Sequence, residues 1–249
     1  MNRTHLDGKR VVITGGGSGI GADMALAFAE AGAEVTITGR RREPLDTSAG
    51  RHPAITAKVV DVTDEAAMVA LFEGLGEVDI VIANAGAAES APLSRTGLDQ
   101  WQRLLDVNLT GVFLTLREGL GRLTDGGRLI AVASTAGLKG YPYVAPYCAA
   151  KHGVVGLVRA LAKETAARDI TVNALCPGFT DTPLLEASVA TIVARTSQSA
   201  EQARGHFRST NPTGRLIRPA EVTATALWLC GPDSGAITGQ AISISGGET

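Results

Sequence analysis

The sequence predicts a single-domain α/β fold, a doubly wound parallel sheet of about seven strands with helices on both faces. Three observations predict it. Short β-rich runs alternate with longer helical patterns along the 249 residues, the order from which crossover helices and parallel strands are built. The runs are almost continuously apolar, as in strands buried on both faces. A glycine-rich turn follows the first run and opens a helix.

The strand runs fall at 10–14, 34–38, 57–60, 79–82, 128–132, 171–175 and 241–244, in segments such as Arg10-Val11-Val12-Ile13-Thr14 and Asp79-Ile80-Val81-Ile82. Their β-branched content suits a pleated, covered surface. Helices are expected at 20–31, 64–73, 97–122, 147–167 and 219–230. One stretch breaks the alternation. Residues 183–215 mix polar and apolar side chains with no strand, and so long a segment in a compact fold reads as a lid over a binding site. No linker, repeat or low-complexity stretch divides the chain, so residues 1–249 read as one domain.

Composition narrows the function. Apolar residues make up 45% and charged residues 19%, which fits a large core rather than a disordered chain. A net charge of −2 argues against a general nucleic-acid binder. No uncharged apolar segment reaches the roughly 18 residues that span a bilayer, and Met1 to Asp7 lack the apolar core of a leader peptide. A cytoplasmic protein without membrane contact is therefore expected. Cys148, Cys176 and Cys230 have no metal or redox spacing and read as free thiols. The four histidines form no HExxH motif, so no metal site is expected.

The turn Thr14-Gly15-Gly16-Gly17-Ser18-Gly19-Ile20-Gly21 stands where a phosphate-cradling loop belongs, after a strand and before a helix. Glycine lets backbone approach a pyrophosphate, and free amides at a helix start favour its charge. Gly15, Gly17, Ser18, Gly19, Ile20 and Gly21 are the candidate contacts. The next strand ends in Thr38-Gly39-Arg40-Arg41-Arg42, with no carboxylate before Glu43. An acid there would bond the ribose 2′-hydroxyl of NAD, whereas arginine accommodates the 2′-phosphate of NADP. NADP(H) is the preferred cofactor, with Arg40 and Arg41 as contacts, and NAD(H) remains possible.

Tyr147 and Lys151 lie four residues apart in a helical stretch, so phenol and ammonium face the same space. A neighbouring cation is expected to lower a phenol pKa from its ordinary value of about 10. Ser134, at the end of an apolar run, supplies a hydroxyl for the oxygen that gains charge.

Together these motifs resemble the short-chain dehydrogenase/reductase family over essentially the whole chain. The T-G-x-x-x-G-x-G loop at 14–21, Ala83-Asn84-Ala85-Gly86, Asn108 in Val107-Asn108-Leu109, the Ser134, Tyr147, Lys151 set and Pro177-Gly178 match its motifs in order. The resemblance implies a Rossmann-type domain and hydride transfer between nicotinamide and a carbonyl or carbinol carbon. Tyr147 would handle the proton, Lys151 would also hold the nicotinamide ribose, and Asn108 would position a relay water. It further implies that Asp61 and Val62 contact the adenine, that Asn84, Ala85, Gly86, Pro177 and Gly178 line the cofactor, and that Thr180 and Thr182 hold the nicotinamide amide. A homotetramer is likewise implied. Ala83, Cys148 and Ser18 depart from residues common in the family, as does the missing aspartate before Gly246-Gly247.

The substrate implied by resemblance to 3-oxoacyl reductases and polyketide ketoreductases is a 3-oxoacyl thioester or similar ketone, linked to coenzyme A or a carrier protein. Five arginines between 195 and 218 (Arg195, Arg204, Arg208, Arg215 and Arg218) against Glu201 alone would form a cationic rim for such a partner. An NAD-dependent dehydrogenase of a small or cyclic secondary alcohol is the alternative. A non-catalytic nucleotide-sensing regulator is the alternative of another class.

Overall fold

A computed structural model describes residues 6–249. The first five residues, which carry most of the expectation about a leader peptide, lie outside the described residues. The element order is β1 (Arg10–Thr14), α1 (Gly19–Glu30), β2 (Glu34–Gly39), α2 (Arg42–Ala49), β3 (Ile55–Val59), α3 (Glu65–Leu75) and β4 (Val78–Ala83). It continues with α4 (Leu98–Leu105), α5 (Gly111–Leu120), β5 (Leu123–Val132), α6 (Ala145–Thr165) and β6 (Thr171–Pro177). The chain ends with α7 (Pro183–Arg195), α8 (Ala200–Ser209), α9 (Pro219–Leu229) and β7 (Ala241–Ile244).

The seven strands form one sheet in the order β3-β2-β1-β4-β5-β6-β7, and every pairing is parallel. The expected fold class is therefore the one observed. Apolar side chains from both faces explain the continuous runs: Val12, Val81, Leu129 and Val172 join one core cluster, and Val11, Ile80, Ile130 and Leu175 join another. Strand order reverses direction between β1 and β4. In open α/β sheets ligands bind outside the carboxyl ends of the strands at such a switch point.

Two local features differ from expectation. Helix α2 was not anticipated, because Arg42-Glu43-Pro44 is polar and only Leu45 and Ser48 of the helix are buried. The single helix expected over 97–122 is α4 and α5 joined by a π-helical turn at Asp106–Thr110. One extra residue per turn shifts the face that follows, and turns of this kind often mark functional positions. Segment 183–215 contains no strand and folds as α7 and α8. Among the described residues no helix is long and apolar enough to cross a membrane.

Candidate active site

The site grows from the carboxyl ends of β1 and β4. Thr14 ends β1, and its hydroxyl accepts hydrogen bonds from the amides of Asn84 at 3.1 Å and Ala85 at 3.2 Å. The Asn84 side chain returns the link by donating to the carbonyls of Thr14 at 2.9 Å and Gly15 at 3.2 Å. These bonds stitch the switch point shut beneath the glycine loop. Thr14 was not among the residues singled out from sequence, although it opens the motif.

Close approach explains the glycines. A Cβ on Gly15, which has φ +70°, would stand 2.8 Å from the Cα of Ala85, and one on Gly16 would stand 2.5 Å from the Cβ of Ile37. Gly19, at φ +54°, has the Thr182 methyl 3.2 Å from where its Cβ would be, so the loop meets the start of α7. Ser18 occupies the cap position of α1 but makes no side-chain capping bond. The amides of the first turn of α1 thus lack a side-chain cap and face the cradle, a fit for a pyrophosphate.

Arg40 lies at the end of β2 with its Nη1 4.0 Å from Asp61 Oδ2. Both side chains are exposed enough that the pair is worth little, which leaves the guanidinium available to another anion. Asp61 Oδ1 is occupied by the Thr63 amide and hydroxyl at 3.0 and 2.8 Å. Arg41 caps α2 by position. Val62 is buried against α5, its Cγ2 2.7 Å from where a Cβ on Gly111 would sit.

The second half of the site gathers at the ends of β5 and β6. Ser134 follows β5 in extended conformation, and its Oγ accepts from the Ala136 amide at 3.1 Å. That bond orients the hydroxyl and leaves its proton free to donate. Tyr147 and Lys151 both lie on α6, as their spacing requires. Lys151 is buried and donates to the Val132 carbonyl at 2.8 Å, with Nζ 5.6 Å from the Tyr147 ring centroid.

Electrostatics correct the expected tuning. Burial pushes the Tyr147 phenol up to about 12, against a smaller downward pull from the nearby Ser134 hydroxyl. Burial lowers the Lys151 ammonium to about 8. The pocket disfavours either charge, and in the ligand-free protein this outweighs the attraction of the cation for a phenolate. The phenol therefore stays protonated at neutral pH.

Asn108 sits in the π-helical turn, fully buried. Its Oδ1 accepts from the Ala87 amide at 3.1 Å, and its Nδ2 donates to the carbonyls of Ala87 at 2.8 Å and Leu104 at 2.9 Å. The side chain is thus a clamp on the segment after β4, with both amide protons engaged. A Cβ on Gly86 would lie 3.0 Å from Asn108 Oδ1 and 3.8 Å from Lys151 Nζ, which places all three side by side.

Gly178 follows β6, its amide bonded to the Ile244 carbonyl at 3.0 Å. Thr180 donates to the Gly178 carbonyl at 2.9 Å, and Thr182 to the Thr180 carbonyl at 3.2 Å. Pro177 is buried as the last residue of β6. The threonines therefore shape the loop that leads from β6 to the glycine cradle.

The cationic rim is partly offset by neighbouring carboxylates. Arg204 pairs with Glu186 at 2.5 Å, Arg208 with Glu201, and Arg215 with Glu221 at 2.7 Å, while Arg218 Nε lies 3.5 Å from Glu221. Arg195 donates to the Ser90 carbonyl at 3.0 Å. Glu186 and Glu221 lie just outside the arginine row in sequence but beside it in space, so three carboxylates, Glu186, Glu201 and Glu221, partly offset the five charges.

A family model described as enoyl-(acyl carrier protein) reductase matches residues 15–249. A putative ketoacyl reductase of Streptomyces coelicolor is 35% identical over 253 residues, covering 97% of each chain. A 3-oxoacyl-[acyl-carrier-protein] reductase of Thermotoga maritima is 34% identical over 253 residues, covering 98% of each. The crystal structure of a variant of actinorhodin polyketide ketoreductase with NADPH superposes with a TM-score of 0.88 at 34% identity, covering 97% of both chains.

Proposed function

The chain belongs to the short-chain dehydrogenase/reductase family, oxidoreductases of ketones and secondary alcohols, and from that premise we propose that it reduces a 3-oxoacyl thioester or a similar ketone with NADPH. The observation that carries this reading is the meeting of Ser134, Tyr147 and Lys151 beside a glycine cradle at the switch point. NADPH, when bound, supplies the hydride for the carbonyl carbon.

The protein supplies the rest. The Ser134 hydroxyl, oriented by the Ala136 amide, donates to the substrate oxygen as negative charge gathers there. Tyr147, protonated at neutral pH, gives that oxygen its proton. The phenolate so formed is stabilised by the Lys151 ammonium, which Val132 holds in place. Asn108 keeps the Gly86 backbone against Lys151 and so supports the proton relay. Segment 183–215 serves as the substrate lid, with half-exposed Leu184 and Val193 among its apolar residues.

The thioester reading draws on the named relatives and no longer on the arginine row, whose charges three carboxylates partly offset. The test is NADPH oxidation over acyl-coenzyme A, acyl-carrier and simple cyclic ketones. Turnover of a 3-oxoacyl thioester supports the reading, and turnover of none of these ketones by folded, NADPH-binding protein would overturn it.

Arg40 is proposed to meet the 2′-phosphate. A charge-assisted bond of this kind is worth roughly 1.5–3 kcal/mol. Arg40→Ala should therefore raise the Kd for NADPH by about ten- to a hundredfold and leave NADH binding nearly unchanged. Equal losses for both nucleotides in a fluorescence titration would sink the assignment.

Assembly as a homotetramer is proposed from kinship and from apolar side chains left uncovered on the helices. Leu98 is 80% exposed on α4, and Phe113 on α5 and Trp228 on α9 are also exposed. Sedimentation equilibrium should return four times the chain mass, and a monomer would refute it.

A further inference from the structure

A carboxylate near the end of the chain is buried where the proposed reaction has no use for it. The Glu248 side chain is only 3% exposed. Its Oε1 accepts from the Tyr141 hydroxyl at 2.6 Å and lies 3.0 Å from Lys139 Nζ. Oε2 is buried without a hydrogen-bond partner, 3.1 Å from where a Cβ on Gly178 would stand. A half-satisfied buried carboxylate is a poor source of stability, since an apolar side chain would fill the space at less cost.

Its partners belong to the loop between β5 and α6, residues 133–144, which carries Ser134 and leads into the first turn of α6, where Tyr147 lies. Tyr141 shares a 2.7 Å hydrogen bond with Thr135, the residue after Ser134. The one phenolic proton goes to the carboxylate, so the Thr135 hydroxyl is the donor in that next link. Burial and the Glu248 charge both raise the Tyr141 phenol, which keeps it a donor. The Tyr141 ring meets Phe179 edge-on at 5.6 Å, and Phe179 packs on Phe207 of α8 at 4.8 Å. Lys139 lies 5.0 Å over the Tyr141 ring and also donates to the Glu248 backbone carbonyl at 3.4 Å. One carboxylate thus joins the serine turn, the exit of β6 and α8.

We infer that Glu248 is a positioning residue of the ketone reduction: through Tyr141 and Thr135 it fixes the turn that carries Ser134, and through Tyr141 and Phe179 the adjoining aromatic wall. The inference rests on the reductase reading for its kinetic consequence but not for its structural one. Small displacements of an oxyanion donor are costly to rate, whereas the glycine cradle, on the other side of the switch point, is untouched.

The test compares Glu248→Ala, Tyr141→Phe and the double variant in the full-length protein. Each single variant should lower ketone kcat by about tenfold, and Tyr141→Phe, which keeps Glu248 against Gly178, should leave NADPH affinity unchanged. The double variant should lose no more than the more impaired single one, because both break one chain of bonds. Hydrogen exchange at the amides of Gly137, Leu138 and Lys139, which bond to Ser134 and Thr135 carbonyls, should quicken by about tenfold in both single variants. Unchanged kcat in the active parent's variants, or losses that multiply, would overturn the inference. Should Glu248→Ala fail to fold, Tyr141→Phe alone decides, since it keeps the Lys139 pair. If the parent reduces no ketone, the reductase reading falls separately, and unchanged exchange still refutes the clasp while quickened exchange supports it.

Discussion

Tyr147→Phe is expected to lower ketone reduction by about 10³-fold or more while the protein stays folded and binds NADPH. The substitution removes one oxygen and leaves the ring in its place on α6. Nothing else in the pocket replaces the lost proton. Lys151 is tied to the Val132 carbonyl with its Nζ 5.6 Å from the Tyr147 ring centroid, and Ser134 is a donor too weakly acidic to finish the transfer. Stopped-flow loss of reduced nicotinamide, set against a binding titration, separates chemistry from affinity. A variant retaining a tenth of the parent activity would remove Tyr147 from the mechanism.

The parent's pH profile carries the same logic. The phenol at about 12 stays protonated through the neutral range, so reduction should lose rate instead as Lys151 discharges near 8. Stability should move the opposite way. The folded lysine value lies below the ordinary 10.5, so between about 8 and 10.5 the unfolded chain holds a proton that the folded one has released. The Lys151 contribution to folding stability therefore rises with pH across that window, and above about 9 the thiols of Cys176 and Cys230, pushed up by burial to about 11 and about 12, oppose it because the unfolded chain releases their protons first.

Gly21→Ala should disable the nucleotide cradle. Its new Cβ would collide with the Gly15 carbonyl oxygen and stand 2.5 Å from Asn84 Nδ2. Neither group can yield alone. The carbonyl is backbone, and the Asn84 amide is bonded to Thr14 and Gly15 across the switch point. Opening the loop should cost about 1–3 kcal/mol of stability and weaken NADPH binding by about a hundredfold. Gly74→Ala, on α3 and away from the loop, is the control. Its Cβ would meet nothing within 4 Å. Thermal melts and nucleotide titration of the two variants check the contrast, and equal behaviour would refute the cradle geometry.

Much of this was legible because it is written between neighbours in the chain. The strands are seven apolar runs, and each recurs in the sheet within a few residues of its expected place. Tyr147 and Lys151 share a face because helical geometry converts a spacing of four into contact. The glycine loop could be located by standing between a strand and a helix. Helix α2 escaped because its few buried positions make no apolar stripe, and the π-helical turn at Asn108 escaped because the apolar pattern of 97–122 tolerates one extra residue.

Chain neighbours thus determined the fold class, the pairing of Tyr147 with Lys151 on one helix face, and the place of the glycine loop between β1 and α1. Tertiary structure decided what those groups feel. Spacing placed a cation near the phenol, but only burial shows that the pocket raises Tyr147 and lowers Lys151. Counting placed five arginines in a row, but folding brings Glu186 and Glu221 beside them. Glu248 carries no local signal, since its meaning comes from Tyr141, 107 positions away in sequence. Periodicity is a property of adjacent residues, whereas dielectric and pairing arise only when distant segments meet.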